Sequence, residues 1–570
     1  MRRASPYAAA VASGLALALA FPLVVPFVGL REVDPAGRLE LVAWVALVPA
    51  ILSVRAAPSA RAAFLRGLAA GLAFFYAAIH WVSHAMTAFG GLSFPLALLG
   101  LTLLVLYMAV HWGAAFAISW TLRARLGLPW HVHLPVVWAA LELSRDHLLS
   151  GFPWANVGYS QARTLPVAQL AALAGPYGIA ALVVLVNAVI AEALAARRER
   201  RPPPRRGLAV AAALVVAALG WGALHLRAVR ARAAAAPTIT VGLVQPNIDQ
   251  SVKNAARDHV EWILGRLVPL TVEADRRGAD LVAWPEATYP LYVRPDTRSF
   301  ADPRYGLAPL SRAHLLLGAV TLERVRAAGD GEVVPRVGNV DFLLTPSLEV
   351  IGRYQKHHLV PFGEYVPEWI PFVKQVVPSF APAAPGRELE VLAFTPTSVS
   401  TTTTTTSTSG GGRAGSVTLA PMICFDAIFP EINVEYARKE PEPELLVNPT
   451  NDAWYGYSSG PYQFLAIVRM RAVEAGKAVV RPAYAGVTAA ILPTGELAPG
   501  ALEVGPVDPD RAPDPGEPPR LLMATVPLLR GLTPYTRFGD LFAWTCAALT
   551  AAALAAAVRA RRRGAKPEEP

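Results

Sequence analysis

Charged residues are scarce in this chain of 570 residues. They make up 16% of the sequence and hydrophobic residues 54%, with a mean hydropathy of +0.37, whereas an average globular protein is about one quarter charged. These values exclude a wholly soluble protein. They also exclude a domain held by one anchor, because a single span needs only about 20 apolar residues. The sequence predicts a membrane part plus one or two folded domains.

Cysteine is nearly absent as well, since the chain contains only Cys424 and Cys546. Two cysteines exclude a disulfide framework. A glycine-rich phosphate loop of the GxxxxGK[ST] type is missing, which argues against nucleotide use. The histidines do not recur with carboxylates or thiols at the spacing of metal ligands, so no metal site and no cofactor are predicted.

Positive charge is in excess, and its placement is informative. The 52 Lys and Arg against 42 Asp and Glu give a formal net charge of +10. Much of this excess lies in short arginine clusters beside apolar runs. That placement is typical of membrane topology rather than of a surface that reads phosphates. The charge therefore predicts no nucleic-acid partner.

Eight apolar runs are long enough, with their flanking residues, to be membrane spans. They are 7–30, 41–54, 67–82, 92–122, 134–143, 177–196, 207–226 and 541–558. The weakest is 134–143, because Glu142, Arg145 and Asp146 end it or follow it closely. The sequence predicts seven spans, a long polar interval and an eighth span.

Arginine clusters fall on alternate loops of this arrangement, at 2–3, 55–61, 123–125, 197–206 and 559–566. Eight spans put all of them on one side, which the positive-inside rule makes the cytoplasm. The interval 237–534 then lies outside. Arg227, Arg230 and Arg232 fall on the opposite side from the rule, which a large translocated domain is known to weaken.

The outer interval has the pattern of an α/β domain. Strand-length apolar runs occur at 238–245, 281–284, 315–320, 340–344, 417–423 and 445–447, and helical spacing occurs at 258–277 and 463–475. Strands that alternate with helices predict layers of sheet and helix. Residues 398–412 are a threonine-, serine- and glycine-rich run, which predicts a disordered surface loop.

Cys424 is the first candidate for chemistry, because it ends an apolar run where a turn begins. A buried and inert thiol is the commoner fate of a free cysteine. Against that, the domain faces an oxidising compartment, and Cys546 lies within the last span, so Cys424 has no disulfide partner there. A nucleophile is the more informative hypothesis.

Glu286 and Lys356 follow two other predicted strands. Taken alone, Glu286 is an exposed loop carboxylate and Lys356 a solvated cation. Taken with Cys424, they offer a carboxylate, an ammonium and a thiol at three strand ends of one sheet. Such a set predicts a catalytic site at one edge of an α/β domain.

The motifs at these positions resemble a known superfamily. Trp-Pro-Glu at 284–286, Lys-x-His-Leu-Val-Pro-Phe-Gly-Glu at 356–364 and Cys-Phe-Asp at 424–426 occur in the order of the carbon–nitrogen hydrolase (nitrilase) superfamily. Segments 75–93, 151–161, 451–456 and 533–537 narrow the resemblance to the bacterial apolipoprotein N-acyltransferases. The resemblance implies a polytopic α-helical membrane domain with about eight spans plus an extracytoplasmic α/β domain, a four-layer αββα sandwich. The implied boundaries are 1–234, 235–530 and 531–570.

The resemblance also implies roles for single residues. Cys424 is the nucleophile that accepts the acyl group, Glu286 the base that takes the thiol proton, and Lys356 the cation that stabilises the oxyanion. The Lys356 ammonium could also hold the Cys424 thiol as a thiolate. Glu364 and Asp426 support this triad. The implied lipid-contact candidates are Phe152, Pro153, Trp154 and Trp454.

The implied activity moves an acyl chain from a phospholipid, through a thioester, to the α-amine of a diacylglyceryl cysteine on a lipoprotein. The implied protein is a monomer without cofactor, in the bacterial inner membrane with its catalytic domain on the periplasmic side. Two alternatives remain at this point. One is a membrane-tethered amidase or nitrilase for small amides, and the other is a non-catalytic lipoprotein-binding paralogue.

Four positions depart from the pattern that is usual in the resembled family. They are Asp426 where Glu is usual, Phe464 where His is common, Tyr484 where Asn is usual, and Asn254 where Trp often follows a Lys such as Lys253. None of them removes the triad. They leave open an altered donor or acceptor preference, or a reduced activity.

Overall fold

The computed structural model describes residues 5–23, 39–88, 90–326, 333–366, 383–397, 415–456, 458–498 and 518–562. Helices fill its first part. They are α1 (Pro6–Ala18), α2 (Ala43–Ala46), α3 (Val48–Arg55), α4 (Ala60–Ile79), α5 (Trp81–Ala88), α6 (Phe94–Leu126), α7 (Trp130–His147), α8 (Leu165–Ala168), α9 (Ala171–Arg198) and α10 (Arg205–Ala235). Short 3₁₀ turns lie at Glu40–Val42, Leu148–Ser150 and Val157–Gln161.

Five of the described helices are long and apolar enough to cross a membrane. They are α4, α6, α9, α10 and the last helix, α16 (Leu541–Arg562). A helix rises 1.5 Å per residue, so 20 residues span the hydrocarbon core of about 30 Å. In its most apolar stretch α9 is 67% buried, whereas α10 and α16 are only 22% buried. Helix α9 therefore lies inside the bundle, and α10 and α16 lie at its outside.

The three other predicted spans take different forms. The run 7–30 contains α1, and residues 24–38 lie outside the described part. The run 134–143 lies within α7. The run 41–54 is divided at Leu47 into α2 and α3, and Asn187 on α9 covers the break, because its side chain accepts from Leu47 N (2.8 Å) and donates to Ala43 O (2.8 Å). Backbone groups freed inside a bundle need such partners.

Strands follow the first ten helices and form two sheets. The strands are β1 (Thr238–Gln245), β2 (Leu281–Ala283), β3 (His314–Arg326), β4 (Val333–Leu344), β5 (Val350–Gln355), β6 (Leu392–Phe394), β7 (Val417–Pro421), β8 (Leu445–Val447), β9 (Ala478–Arg481), β10 (Ala489–Ile491) and β11 (Arg520–Pro527). The six-stranded sheet has the order β11-β1-β2-β3-β4-β5, and the five-stranded sheet has the order β10-β9-β8-β7-β6. In the first, β1, β2 and β3 are parallel, and in the second, β7, β8 and β9 are parallel.

The helices of this region are α11 (Gln250–Asn254), α12 (Val260–Arg276), α13 (Glu431–Tyr436), α14 (Gly460–Ala475) and α15 (Pro534–Phe538), with 3₁₀ turns at Ala256–Asp258, Pro303–Tyr305, Cys424–Ile428 and Asp452–Tyr455. Side chains alternate across the strands. Val241 of β1 packs in one cluster with Leu419 of β7, whereas Val244 of β1 packs in another with Ile263 of α12. The first sheet thus has one face toward the second sheet and one toward a helix.

The expected strands at 238–245 and 445–447 and the helices at 258–277 and 463–475 are confirmed, with shifts of up to three residues at helix ends. Four strands were not expected, β6, β9, β10 and β11, and β5 was expected only as a strand end before Lys356. Their partners are mostly far along the chain, as in β11, which pairs with β1 from Thr238↔Pro527 to Gln245↔Arg520. A local pattern does not report such a pairing. The predicted loop 398–412 lies outside the described residues.

Gln463 on α14 joins the sheet region to the membrane helices. Its Oε1 accepts from the indole N–H groups of Trp154 (2.8 Å) and Trp81 (3.3 Å), and its Nε2 donates to the carbonyls of Pro22 (3.0 Å) and Ala78 (2.9 Å). The oxygen of this buried amide therefore accepts two hydrogen bonds, and its nitrogen donates both of its hydrogens. The contact fixes α14 against the end of α4 and the segment after α7.

Three arginines that do not fit the positive-inside rule, Arg227, Arg230 and Arg232, lie near the end of α10. A helix of 31 residues is about 46 Å long, so its last turns extend past a bilayer core. There Arg230 forms a two-bonded ion pair with Glu496, and Arg232 donates to Arg530 O (3.0 Å). These arginines contact the sheet region, which gives them a role other than topology.

Candidate active site

Glu286, Lys356 and Cys424 each follow the carboxyl end of a strand. Glu286 comes three residues after β2, Lys356 directly after β5, and Cys424 three residues after β7. The expectation that all three strands belong to one sheet is wrong, because β2 and β5 are in the six-stranded sheet and β7 is in the five-stranded sheet. The two sheets face each other and bring these ends together, so the thiol approaches the other two groups from the opposite sheet.

A strained turn presents Cys424. Its φ of +47° lies in the left-handed region, which non-glycine residues rarely adopt and which costs free energy. Cys424 N donates to Pro449 O (2.8 Å), and the Asp426 carboxylate accepts from Ile423 N (3.0 Å). These bonds hold the backbone on both sides of the sulfur.

Asp426 also ties this turn to the Lys356 segment. Its carboxylate accepts from the Tyr354 hydroxyl on β5 (2.8 Å) and from His358 N (2.6 Å). The residue is fully buried. The shorter side chain at this position, where Glu is usual in the resembled family, therefore still reaches three donors on two segments, and Asp426 positions Cys424 relative to Lys356.

Glu286 is held by a set of hydrogen-bond donors. Its Oε1 accepts from Lys356 Nζ (2.9 Å) and Asn339 Nδ2 (2.8 Å), and its Oε2 accepts from Asn451 N (3.1 Å). The Cys424 thiol also lies close enough to this carboxylate to lower its pKa. Donors of this kind stabilise the ionised form.

Lys356 lies between two carboxylates. Its Nζ donates to Glu286 Oε1 (2.9 Å) and to Glu364 Oε1 (2.9 Å), and Glu364 Oε2 accepts from Val360 N (2.8 Å). Burial alone would lower the pKa of Lys356, but the two carboxylates raise this pKa well above its ordinary value. The ammonium therefore stays charged at neutral pH.

Of Cys424 and Glu286, it is Cys424 that carries the proton, on its sulfur. Burial and the negative charge of Glu286 raise the pKa of the Cys424 thiol to about 12, although Lys356 opposes the shift. Burial also raises the pKa of Glu286, but the ammonium groups of Lys356 and Lys253 bring it below the ordinary value. The site holds a neutral thiol beside an ionised carboxylate, which differs from the expected thiolate and suits general-base activation.

One of the four lipid-contact candidates, Phe152, packs against the Cys424 turn. Phe152 is half-buried and stacks obliquely on Phe425, with ring centroids 6.3 Å apart. Pro153 is buried, and Trp154 is 1% exposed and bonded to Gln463. Trp454 is half-buried. An aromatic cluster therefore connects the loop after α7 to the residue that follows the thiol.

Two of the four residues that differ from the family's usual pattern pack close to this aromatic cluster or to the site. Phe464 is fully buried, and its ring lies 5.6 Å from that of Trp154 and 4.7 Å from the Arg481 guanidinium. Tyr484 is also fully buried, and the Lys253 ammonium lies 4.4 Å from its ring centroid. The side chain of Asn254 lies outside the described part.

Sequence reasoning missed the residues that hold Glu286. Asn451 belongs to the quoted segment 451–456, but nothing in its pattern assigned it to the carboxylate. Asn339 lies inside β4, where no motif marks it. Gln250 accepts from Asn451 Nδ2 (2.7 Å), and Lys253 donates to Glu286 O (3.0 Å). A polar residue in a buried strand was the one available signal for Asn339.

Comparison with known protein families gives two successive matches along the chain. Residues 13–189 match the family described as the apolipoprotein N-acyltransferase N-terminal domain, and residues 240–505 match the carbon–nitrogen hydrolase family. The second match gives the sheet region the nitrilase fold, as the motifs predicted.

Full-length relatives agree with these matches. The chain is 33% identical over 566 residues to a protein named apolipoprotein N-acyltransferase from Geobacter metallireducens, covering 98% of this chain and 96% of that protein. It is 30% identical to a protein of the same name from Caulobacter vibrioides, covering 94% and 91%, and 31% identical to one from Azotobacter vinelandii, covering 90% and 89%. With five helices of spanning length among the described residues, the chain is a bacterial membrane protein, and it belongs to the apolipoprotein N-acyltransferase family.

Proposed function

We propose that the chain is a phospholipid:apolipoprotein N-acyltransferase. It moves an acyl chain from a phospholipid to the α-amine of the N-terminal diacylglyceryl cysteine of a lipoprotein. The observation that carries the proposal is the buried set of Cys424, Glu286 and Lys356, beside an aromatic cluster that joins it to the membrane helices. The names of the full-length relatives support the choice of substrates.

In the first half-reaction the Cys424 sulfur attacks the ester carbonyl of the phospholipid. The Glu286 carboxylate takes the thiol proton as the S–C bond forms. The Lys356 ammonium stabilises the oxyanion, a contribution often worth about 3 kcal/mol or more. The C–O bond then breaks, and Glu286 returns the proton to the departing lysophospholipid oxygen.

In the second half-reaction the neutral α-amine of the acceptor attacks the thioester carbonyl. An N–C bond forms and the C–S bond breaks, while Glu286 takes a proton from nitrogen and gives it to sulfur. The products are an amide and the free Cys424 thiol. Because one carboxylate serves both steps, a single ionised Glu286 returns at the end of each cycle.

Burial of the site supports transfer rather than hydrolysis. Cys424 is 6% exposed and Glu286 is 5% exposed. A thioester formed there is shielded from bulk water, which extends its lifetime until an amine arrives. We propose that Phe152, Pro153, Trp154 and Trp454 contact the acyl chains. The support is that the Phe152 ring packs on Phe425, the residue after the thiol, and on Trp154.

The architecture completes the proposal. We infer eight spans, domains at 1–234, 235–530 and 531–570, and a four-layer αββα sandwich in the middle domain. We further infer a monomer in the inner membrane with the middle domain on the periplasmic side. The five long helices, the two facing sheets and the alternate arginine clusters support these inferences.

The test is acyl transfer to Cys424 from a phospholipid with a fluorescent acyl chain. The purified wild-type chain should acquire a label that hydroxylamine removes, and a diacylated lipopeptide should then discharge it as an amide. C424A should acquire none. C546A is the matched control, since it removes the other cysteine, and it should label like the wild type. A label that persists in C424A, or hydrolysis of small amides without any phospholipid-derived thioester, would contradict the assignment.

A further inference from the structure

Lys253 is a half-buried cation beside the triad, and the proposed mechanism does not use it. It lies on α11, a short helix after β1, and it has no place in the motifs at 284–286, 356–364 or 424–426. Its Nζ donates to the main-chain carbonyl of Glu286 (3.0 Å) and lies 4.4 Å from the centroid of the Tyr484 ring. One ammonium therefore contacts the acid residue on one side and an aromatic face on the other.

Helix α11 reaches Glu286 by two routes. Gln250, three residues before Lys253 and on the same helical face, accepts from Asn451 Nδ2 (2.7 Å), and Asn451 N donates to Glu286 Oε2 (3.1 Å). The side chain of Lys253 takes the second route, to the Glu286 backbone. The helix thus holds both ends of the same acid residue.

Tyr484 is fixed on the side of the nucleophile. Its N–H donates to Thr450 O (2.9 Å), and its carbonyl accepts from Asn247 N (3.1 Å). Thr450 lies close enough to the Cys424 thiol to lower the pKa of that thiol. Tyr484 is one of the four departures from the family's usual pattern, and here its ring supports a cation that an asparagine could not support in this way.

Several titratable groups lie near the Lys253 ammonium, and its charge affects the pKa of Glu286. The groups that face it are Glu286, Cys424, Lys356 and Glu364, and Asp249 and Arg266 lie beside Tyr484. Burial lowers the pKa of Lys253 to about 8, and the Glu286 carboxylate partly offsets this. At neutral pH the group is therefore mostly charged, and together with Lys356 it is one of two cations that lower the pKa of Glu286.

We propose that Lys253 is a positioning residue of the acylation site. Its ammonium, held between the Tyr484 ring and the main-chain carbonyl of Glu286, fixes that acid residue and keeps its carboxylate ionised as the acceptor of the Cys424 proton. This inference rests on the proposed role of Glu286 in the first half-reaction. It assigns the Lys253–Tyr484 contact a function in the chemistry of this chain.

The test is the pH dependence of Cys424 alkylation by iodoacetamide, measured on the full chain in detergent from pH 4 to pH 8. K253M should move the acid limb of the rate profile upward by about one pH unit, because Glu286 loses a neighbouring cation. At pH 4 its rate should therefore fall about two- to sevenfold more, relative to pH 7, than that of the wild type. K253R keeps a charge at every pH and should keep the acid limb in place.

Two further variants separate this role from general effects. Y484L removes the ring and should shift the acid limb in the same direction as K253M. R276M removes an exposed cation of α12 (75% of its side chain exposed) and should leave the profile unchanged. A uniform loss of rate at all pH values in K253M, or an unmoved limb in both K253M and Y484L, would overturn the proposal, since that result indicates a structural role alone.

Alkylation needs no lipid, so it separates this inference from the proposed function. If phospholipid leaves no thioester on the wild-type chain, the acyltransferase proposal fails while the iodoacetamide profile still decides the role of Lys253. Thioester formation from labelled phospholipid provides the second measurement. Its acid limb should move with K253M and stay in place with K253R.

Discussion

At the residue scale, reactivity depends on where one proton rests. The Cys424 thiol, whose pKa burial raises to about 12, keeps its proton, while Glu286 stays ionised among Lys356, Asn339 and Asn451. A carboxylate with a depressed pKa is a weak base, but here it lies beside the thiol in a buried site. In the proposed mechanism, sulfur becomes nucleophilic only as its proton moves to Glu286.

Replacing Glu286, the proposed base, should therefore make the Cys424 thiol unreactive without removing it. In E286Q the side chain keeps its size but cannot take a proton, so we expect thioester formation to fall about 10²- to 10⁴-fold. Single-turnover labelling with fluorescent phospholipid measures this rate. E273Q, on the exposed side of α12, serves as the control. Wild-type rates in E286Q would exclude Glu286 as the proton acceptor.

Asp341 presents a second question at this scale. It lies on β4 and is fully buried, and the negative charges of Glu286 and Asp426 act on its carboxyl group. Neither of its carboxyl oxygens has a hydrogen-bond partner among the described residues. Burial and those two neighbouring carboxylates raise its pKa well above the ordinary value, against the effect of Lys356. The folded chain therefore holds this carboxyl in its neutral form.

This raised pKa makes stability depend on pH with a definite sign. The unfolded chain releases the Asp341 proton above about pH 4, whereas the folded chain keeps it, so the free energy of unfolding falls as pH rises, by at most about 1.4 kcal/mol per pH unit. D341N cannot ionise and escapes this loss. Its thermal midpoint should match that of the wild type near pH 4 and exceed it increasingly toward pH 8.

Thermal unfolding in detergent at pH 4.5, 6 and 8 measures the difference. D258N is the control, because Asp258 is exposed on the same domain and should shift little. A difference between D341N and wild type that stays constant with pH would show that Asp341 is not held neutral by the fold.

At the element scale, α14 is the helix that couples the two parts of the molecule. Gln463 near its start binds two indoles and two carbonyls of the membrane region. One turn from its end, the buried Arg471 guanidinium donates to Glu474 Oε1 (2.6 Å) and to the Tyr159 hydroxyl (3.1 Å). Polar bonds of this kind are directional, so they specify how α14 sits on the bundle more sharply than apolar contacts can.

Loss of the Gln463 amide should weaken that junction. Q463M preserves volume but leaves Trp81, Trp154, Pro22 and Ala78 without their shared partner, at a cost of about 2–5 kcal/mol in the free energy of unfolding. W154F alone removes one of the four bonds. In the double variant, W154F should add little to Q463M, because the bond it deletes is already lost. Additive decreases in the thermal midpoint would contradict a shared network.

At the scale of the whole molecule, orientation decides which substrates can reach the site. The arginine clusters predict that 237–534 lies outside, and α10 ends in contact with that region through Arg230 and Glu496. That exposed pair adds little stability, since solvent screens it. The pair links the end of α10 to the sheet region at Glu496.

Labelling of introduced cysteines tests the orientation. In a C424A/C546A background, R294C should react with a membrane-impermeant maleimide on intact cells, because Arg294 is 80% exposed and lies in the interval predicted to be outside. R201C, from the cluster 197–206 and 52% exposed, should react only after the cells are opened. The reverse result would place the site in the cytoplasm and exclude a periplasmic acceptor.

Much of the site could be predicted because catalysis constrains residue type locally. Glu286, Lys356 and Cys424 stand in short motifs directly after strands, and order along the chain was enough to suggest the family that the comparisons confirm. Asn339 and Lys253 were not predictable in this way. A buried asparagine in a strand and a lysine on a short helix acquire their roles only through neighbours that are distant in sequence.

The sequence by itself determined the membrane class, the division into apolar runs and an α/β interval, and which three residues are proposed to react, since hydropathy and residue chemistry are local properties. Tertiary structure alone decided that the thiol comes from a different sheet than the acid and the lysine. It also decided that burial keeps the proton on sulfur and that α11 brings Lys253 beside Glu286. Strand pairing, desolvation and charge proximity depend on which segments meet in space, and no local pattern encodes that.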